Sequence, residues 1–274
     1  MSSRSRIGIE ESGALAVVAG ALVLGTAATS VAAVLRSAPM VSIPAGDYVP
    51  FFQESPGKGK PRVENTAVRM HAFRLDALPV TNSQYLDFVR EHGEWRRSRV
   101  KPLFADQNYL AHWRGDLELE DAKAASEPVT NVSWFAAEAY CEAKGLKLPL
   151  TEQWEYALAD HGRKQAEVEQ QSLDWFSAPN PKRPAAVGAG KPNGYGVYDL
   201  IGLVWEWTLD ASSFMTGTEQ RNTSSKDDAM FCGGGSIGVS DAANYPAFMR
   251  YAMRSSLKAS YTVENVGFRC EGDE

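Results

Sequence analysis

The residues with the most versatile chemistry in this 274-residue chain are three cysteines and four histidines. Cys141, Cys232 and Cys270 form no CxxC pair, so their spacing gives no zinc site. In an oxidising compartment two of the three are expected to pair, leaving one thiol over. His71, His92, His112 and His161 are scattered without an HxxxH or HxxE spacing, and they read as surface or structural side chains. Cys232 stands just before Gly233-Gly234-Gly235-Ser236, with Met230 two residues earlier and Met249 and Met253 further on. Thiolate and thioether sulfurs form a soft donor set that suits Cu(I). The alternative is that the methionines fill core gaps and Cys232 behaves as a small hydrophobe. Cys232 and Ser236 are the candidate catalytic residues.

Short elements must position these groups. Val41 to Tyr48 reads as a strand broken by a Pro-Ala-Gly turn, and Ala67 to Leu75 as a second strand. Thr81 or Asn82 caps a helix with its apolar set at Tyr85, Phe88 and Val89. Ser133 caps a second helix that carries Ala136, Ala137, Tyr140 and Cys141 and stops at Gly145. A third starts at Thr151, read as its N-cap, with early acidic residues that suit the helix dipole. Arg163 to Pro192 is polar and proline-rich, which predicts a long surface loop. From Asn193 onward, Gly- and aromatic-rich pieces predict irregular structure around small sheets.

The first 40 residues differ in kind. Gly13 to Leu35 carries no charge, is rich in Ala, Val and Leu, and is long enough to cross a bilayer as a helix. Arg4 and Arg6 before it favour a cytoplasmic N-terminus. An uncleaved anchor over residues 1–39 is the preferred reading, with a cleaved signal segment as the alternative. Either places the domain from Met40 onward on the periplasmic or extracytoplasmic side, with the membrane as a partner through the N-terminal helix. A net charge of −6 and the absence of a basic run argue against nucleic acid.

Many separate segments, in order, resemble the formylglycine-generating-enzyme (sulfatase-modifying-factor) family. They include Met40-Val41-Ser42-Ile43-Pro44-Ala45-Gly46, Pro79-Val80-Thr81-Asn82 and Pro128-Val129-Thr130-Asn131-Val132-Ser133-Trp134. They continue with Ala139-Tyr140-Cys141, Leu148-Pro149-Leu150-Thr151-Glu152-Gln153-Trp154-Glu155 and Asn193-Gly194-Tyr195-Gly196. Trp205-Glu206-Trp207, Gly234-Gly235-Ser236, Arg254-Ser255 and Gly267-Phe268-Arg269-Cys270 complete the series. The resemblance covers about 230 residues and implies an α+β domain of C-type-lectin-like topology, poor in regular secondary structure. It implies a disulfide between Cys141 and Cys270. It also implies a calcium site from Asp199, the carbonyls of Gly202 and Val204, and Glu206. Hard oxygen donors on a Gly-containing turn suit that ion. The alternative is that Asp199 caps a turn and Glu206 is a solvated strand residue.

At the family's catalytic centre the resemblance breaks. Competent members bind copper through two cysteines five residues apart beyond the GGS motif. Those positions fall on Val239 and Asn244, or on Asp241 and Pro246, depending on where an insertion is placed. Neither count gives a cysteine, and no Cys or His stands between Gly233 and Arg269. Formylglycine activity is therefore not expected. Trp205, Trp207, Ser236, Asp241 and Arg254 are expected to line a lectin-like cleft that holds a protein segment or a small molecule. The expected role is an accessory or maturation factor, with a copper or denitrification enzyme as partner, since some members accompany nitrite reductases. The alternative is a divergent oxidase acting on another substrate, as in siderophore-chromophore maturation, with copper near Cys232.

Overall fold

A computed structural model describes residues 39–51, 66–160, 165–212 and 245–274. The apolar segment Gly13 to Leu35 and the stretch bearing Cys232, Ser236 and Asp241 lie outside the described residues. Among the described residues no helix is long and apolar enough to cross a membrane.

Pro44 and Ala45 divide the first extended run into β1 (Met40–Ile43) and β2 (Gly46–Tyr48). The second run, expected as one strand, is two: β3 (Val68–Met70) and β4 (Phe73–Asp76). The break has a topological cause. β3 pairs antiparallel with β2, while β4 pairs antiparallel with β1, so the chain must change partners between them.

Helix α1 (Asn82–Glu91) starts on a reciprocal cap. Thr81 Oγ1 accepts the Gln84 N–H at 3.2 Å, and Gln84 Oε1 accepts the Thr81 N–H at 2.8 Å. Helix α2 (Trp134–Ala143) is capped by Ser133, whose hydroxyl accepts the Ala136 N–H, and Gly145 follows its end with a left-handed φ of 68°. Helix α3 (Thr151–Ala159) corrects one expectation, because Thr151 is its first residue rather than its cap. The Thr151 hydroxyl donates to Asp210 at 2.7 Å, and the cap is supplied by Gln153 reaching back to the Leu150 N–H.

The expected loop over Arg163 to Pro192 is also corrected, since it carries α4 (Gln165–Ser177). Its apolar stripe is sparse. Val168 and Ser172 are buried one turn apart, and Trp175 and Phe176 follow. That stripe suffices because a second helix covers it. After β5 (Trp205–Glu206), helix α5 (Tyr245–Ser256) packs on α4, with Arg250 donating to the Ser172 hydroxyl. β6 (Val266–Gly267) runs parallel to β5, and β7 (Glu271–Asp273) joins the free edge of β4.

The result is a mixed α+β fold of short elements with two packed cores. One surrounds Tyr85, Trp113, Tyr140 and Phe268, and the other Ile43, Leu75, Trp154 and Tyr156. The Cys141–Cys270 disulfide lies in the first core and ties α2 to the approach of β7 across 129 residues.

Candidate functional site

The Trp205-Glu206-Trp207 and Gly267-Phe268-Arg269-Cys270 motifs meet side by side because β5 and β6 pair, Trp205 opposite Val266 and Glu206 opposite Gly267. A side chain at Gly267 would place its Cβ 2.7 Å from the Val129 carbonyl oxygen, so this close approach needs glycine. The pairing brings Glu206 against Arg269, both fully buried. Arg269 grips the carboxylate with two hydrogen bonds of 2.8 Å. Its remaining donors reach the carbonyls of Asp76 and Tyr198, at 3.1 and 2.8 Å. The Trp154 indole N–H donates to the same carboxylate at 2.7 Å. Removing two such charges from water is tolerable only with this degree of pairing.

A second buried group adjoins the first. Arg250 on α5 holds Glu155 on α3 through two 2.8 Å hydrogen bonds. Arg254, one turn later, lies 4.3 Å over the Trp154 ring and donates to the Glu206 carbonyl. Burial lowers the pKa of Arg254, opposed by Glu155 beside it. Three arginines, two glutamates and one tryptophan thus lock α3, α5, β5 and the segment between β6 and β7 together.

On the outer side of β5, Trp205 is half-buried against α4. Its ring stacks on Phe176 at 5.2 Å between centroids and tilts toward Trp175 at 4.8 Å.

These motifs, now seen packed together, agree with comparison to known proteins. A family model described as the sulfatase-modifying factor enzyme 1-like domain matches residues 26–273. The chain belongs to this family. The formylglycine-generating enzyme of Bos taurus is 28% identical over 282 residues, covering 85% of this chain and 74% of that protein. The inactive C-alpha-formylglycine-generating enzyme 2 of Bos taurus is also 28% identical, covering 84% of this chain and 87% of its own length. The hercynine oxygenase of Mycobacterium tuberculosis is 31% identical over 52% of this chain and 38% of its own length.

Within this sulfatase-modifying-factor fold the expected site residues separate. Cys141 and Cys270 form the disulfide. Trp207 and Arg254 were expected to line a cleft and instead are buried, which is a correction. Trp207 donates its indole N–H to the Val132 carbonyl, and Arg254 belongs to the ionic network above. Of the expected cleft, Trp205 alone among the described residues is partly accessible, since Ser236 and Asp241 lie outside them.

The four calcium positions do not fit a divalent cation as placed. Both Glu206 oxygens are engaged by Arg269, and one also by Trp154, so a cation would compete with a buried guanidinium. Asp199, in a left-handed backbone conformation with φ 57°, accepts the Gly188 N–H. Burial raises its pKa, opposed by that hydrogen bond and by Arg269. The solvated-strand alternative for Glu206 fails too, since it is 1% exposed.

Among the described residues no group of three or more His, Cys, Asp or Glu is arranged to hold a metal ion. Cys232 lies outside them, as do three of the four positions counted for the copper cysteines. The fourth, Pro246, sits in the first turn of α5, where a missing N–H costs nothing. Sequence reasoning missed the Glu155–Arg250 pair altogether. Its one signal is an Arg at 250 and another at 254, four residues apart on an otherwise apolar helix face.

Proposed function

We propose that this chain is a sulfatase-modifying-factor-family protein that acts outside the cytoplasm as an accessory or maturation factor, without formylglycine chemistry. It binds a protein segment or small molecule rather than oxidising a cysteine. The observation that carries this reading is the composition of the stretch between Gly233 and Arg269, which has no Cys and no His. Thiolate ligation of Cu(I) has no ligand pair there. The inactive relative supports the idea that this family keeps its fold where that activity is absent. The disulfide supports an oxidising location, where such bonds persist.

The test is metal analysis and oxygen uptake on the purified protein, before and after Cys232→Ser. The expected result is no stoichiometric copper, no oxygen consumption and no conversion of a cysteine-containing sulfatase peptide. One copper per chain that disappears with Cys232→Ser would overturn the proposal. A copper or denitrification enzyme is the first partner to try in a pull-down.

A second reading, a divergent oxidase on another substrate, is favoured by the similarity to hercynine oxygenase over half of the chain. Oxygen uptake that depends on a small-molecule substrate separates it from the scaffold reading.

A further inference from the structure

Away from the buried ion pairs, the loop 105–113, Asn131 and the segment 261–264 surround an open pocket of 640 Å³. Among the described residues its lining includes Asp106, His112, Asn131, Tyr261, Thr262 and Glu264, and no Lys or Arg. The walls are pinned to one another. Asp106 accepts the Asn108 N–H at 2.9 Å, the Thr262 N–H at 3.2 Å and the Thr262 hydroxyl. Asn131 accepts the Leu110 N–H and donates its own N–H to Val263. Both Leu110 and Asn131 hold left-handed backbone, with φ of 47° and 52°. For leucine that conformation is costly, and such strain concentrates where a binding surface is built.

His112 is the informative group. The Asn82 side chain beside it has its orientation fixed, because its Nδ2 donates to the carbonyls of Ala124, Glu127 and Pro128. Its Oδ1 therefore faces the Trp113 indole N–H at 2.8 Å and His112 Nε2 at 3.2 Å. An oxygen accepts, so Nε2 carries the hydrogen and Nδ1 is a bare lone pair. That Nδ1 is buried beside the Asn131 side chain, and among the described residues it makes no hydrogen bond of ordinary geometry. Burial pushes the imidazole down to about 4, outweighing the Asn131 side chain beside it, so the ring is neutral near pH 7. An acceptor buried without a donor is a standing cost that a ligand N–H relieves.

We propose that this pocket binds a small molecule through an amine or ammonium group. Asp106 and Glu264 supply the negative charge, His112 the unused acceptor, and Tyr261 an aromatic wall. Tyr261 already attracts one cation, since the Lys258 ammonium lies 5.6 Å from its ring centroid outside the lining. The inference stands whether the chain is a scaffold or an oxidase, because it uses none of the residues on which that choice rests.

The test is calorimetry and saturation-transfer NMR on the full chain, with putrescine as the cationic probe and succinate as an anion of similar size. Putrescine is expected to bind one-to-one and succinate not to bind. Glu264→Gln, an exposed position, is expected to weaken putrescine about threefold. Asp106→Asn is expected to weaken it about tenfold, as loss of a hydrogen bond to a charged group does. If Asp106→Asn does not fold, His112→Phe takes its place, again with weaker binding expected. Succinate binding as tightly as putrescine, no putrescine binding at millimolar concentration, or equal putrescine affinity in wild type and Glu264→Gln each overturn the proposal.

Discussion

Replacing Arg269 with Met removes the counter-ion of Glu206 while keeping a long apolar side chain in its place. Glu206 is left 1% exposed with the Trp154 N–H as its remaining donor. Breaking one partner of a buried pair in this way costs about 3–5 kcal/mol. The carbonyls of Asp76 and Tyr198 lose donors as well, at about 1 kcal/mol each. The expected loss is therefore about 5–7 kcal/mol, comparable with the whole stability of many domains. Urea denaturation followed by tryptophan fluorescence measures it. The double variant Glu206→Gln/Arg269→Met should recover about 2 kcal/mol relative to Arg269→Met alone, because the buried charge is gone. Two results would refute the reasoning. One is a loss below about 1 kcal/mol for Arg269→Met. The other is restoration of that variant by millimolar calcium, which would give Glu206 a different natural cation.

Reducing the disulfide, or replacing Cys141 and Cys270 together with Ser, should lower stability by about 5 kcal/mol in the chain-entropy account of a 129-residue separation. An unchanged denaturation midpoint under reductant would rule that account out. The pH dependence should show two opposing groups. Burial raises Asp76 to about 6, so its contribution is full at low pH and falls by about 3 kcal/mol as pH rises through the 4–6 range. Burial lowers His112 to about 4, so its contribution is present above about 6.5 and is lost as pH falls toward 4, again by about 3 kcal/mol. The wild type should thus be nearly flat from pH 6 to 4.5, while Asp76→Asn should lose stability steadily over that window on acidification. Parallel curves for the two proteins would show that Asp76 does not hold its proton in the fold.

Local signals reached the helix starts, and the family resemblance reached the disulfide pair. Thr81 and Ser133 announce caps because a side-chain oxygen beside an apolar run needs only neighbours within three residues. Helix α4 was not legible. Its few apolar residues resemble a solvated segment until α5, some 70 residues later, supplies the surface that buries Val168 and Ser172. The split between β3 and β4 was hidden for a related reason, since strand pattern records alternation but not which partner each half meets.

The residues with charge were the least legible. Residue type favours the surface for Arg254, Arg269 and Glu206, and the indole of Trp207 reads equally well as a wall of a cleft. Packing of β5 on β6 and of α5 on α3 decided otherwise, by bringing opposite charges from positions 63 and 95 residues apart within hydrogen-bond reach. By itself the sequence determined the family of the fold and the lack of a thiolate pair beyond its GGS motif, because both are matters of which residues stand in which order. Tertiary structure alone decided that Glu206 answers to a guanidinium, and that His112 keeps a bare nitrogen beside an acidic pocket. Both depend on distances between segments that no spacing along the chain encodes.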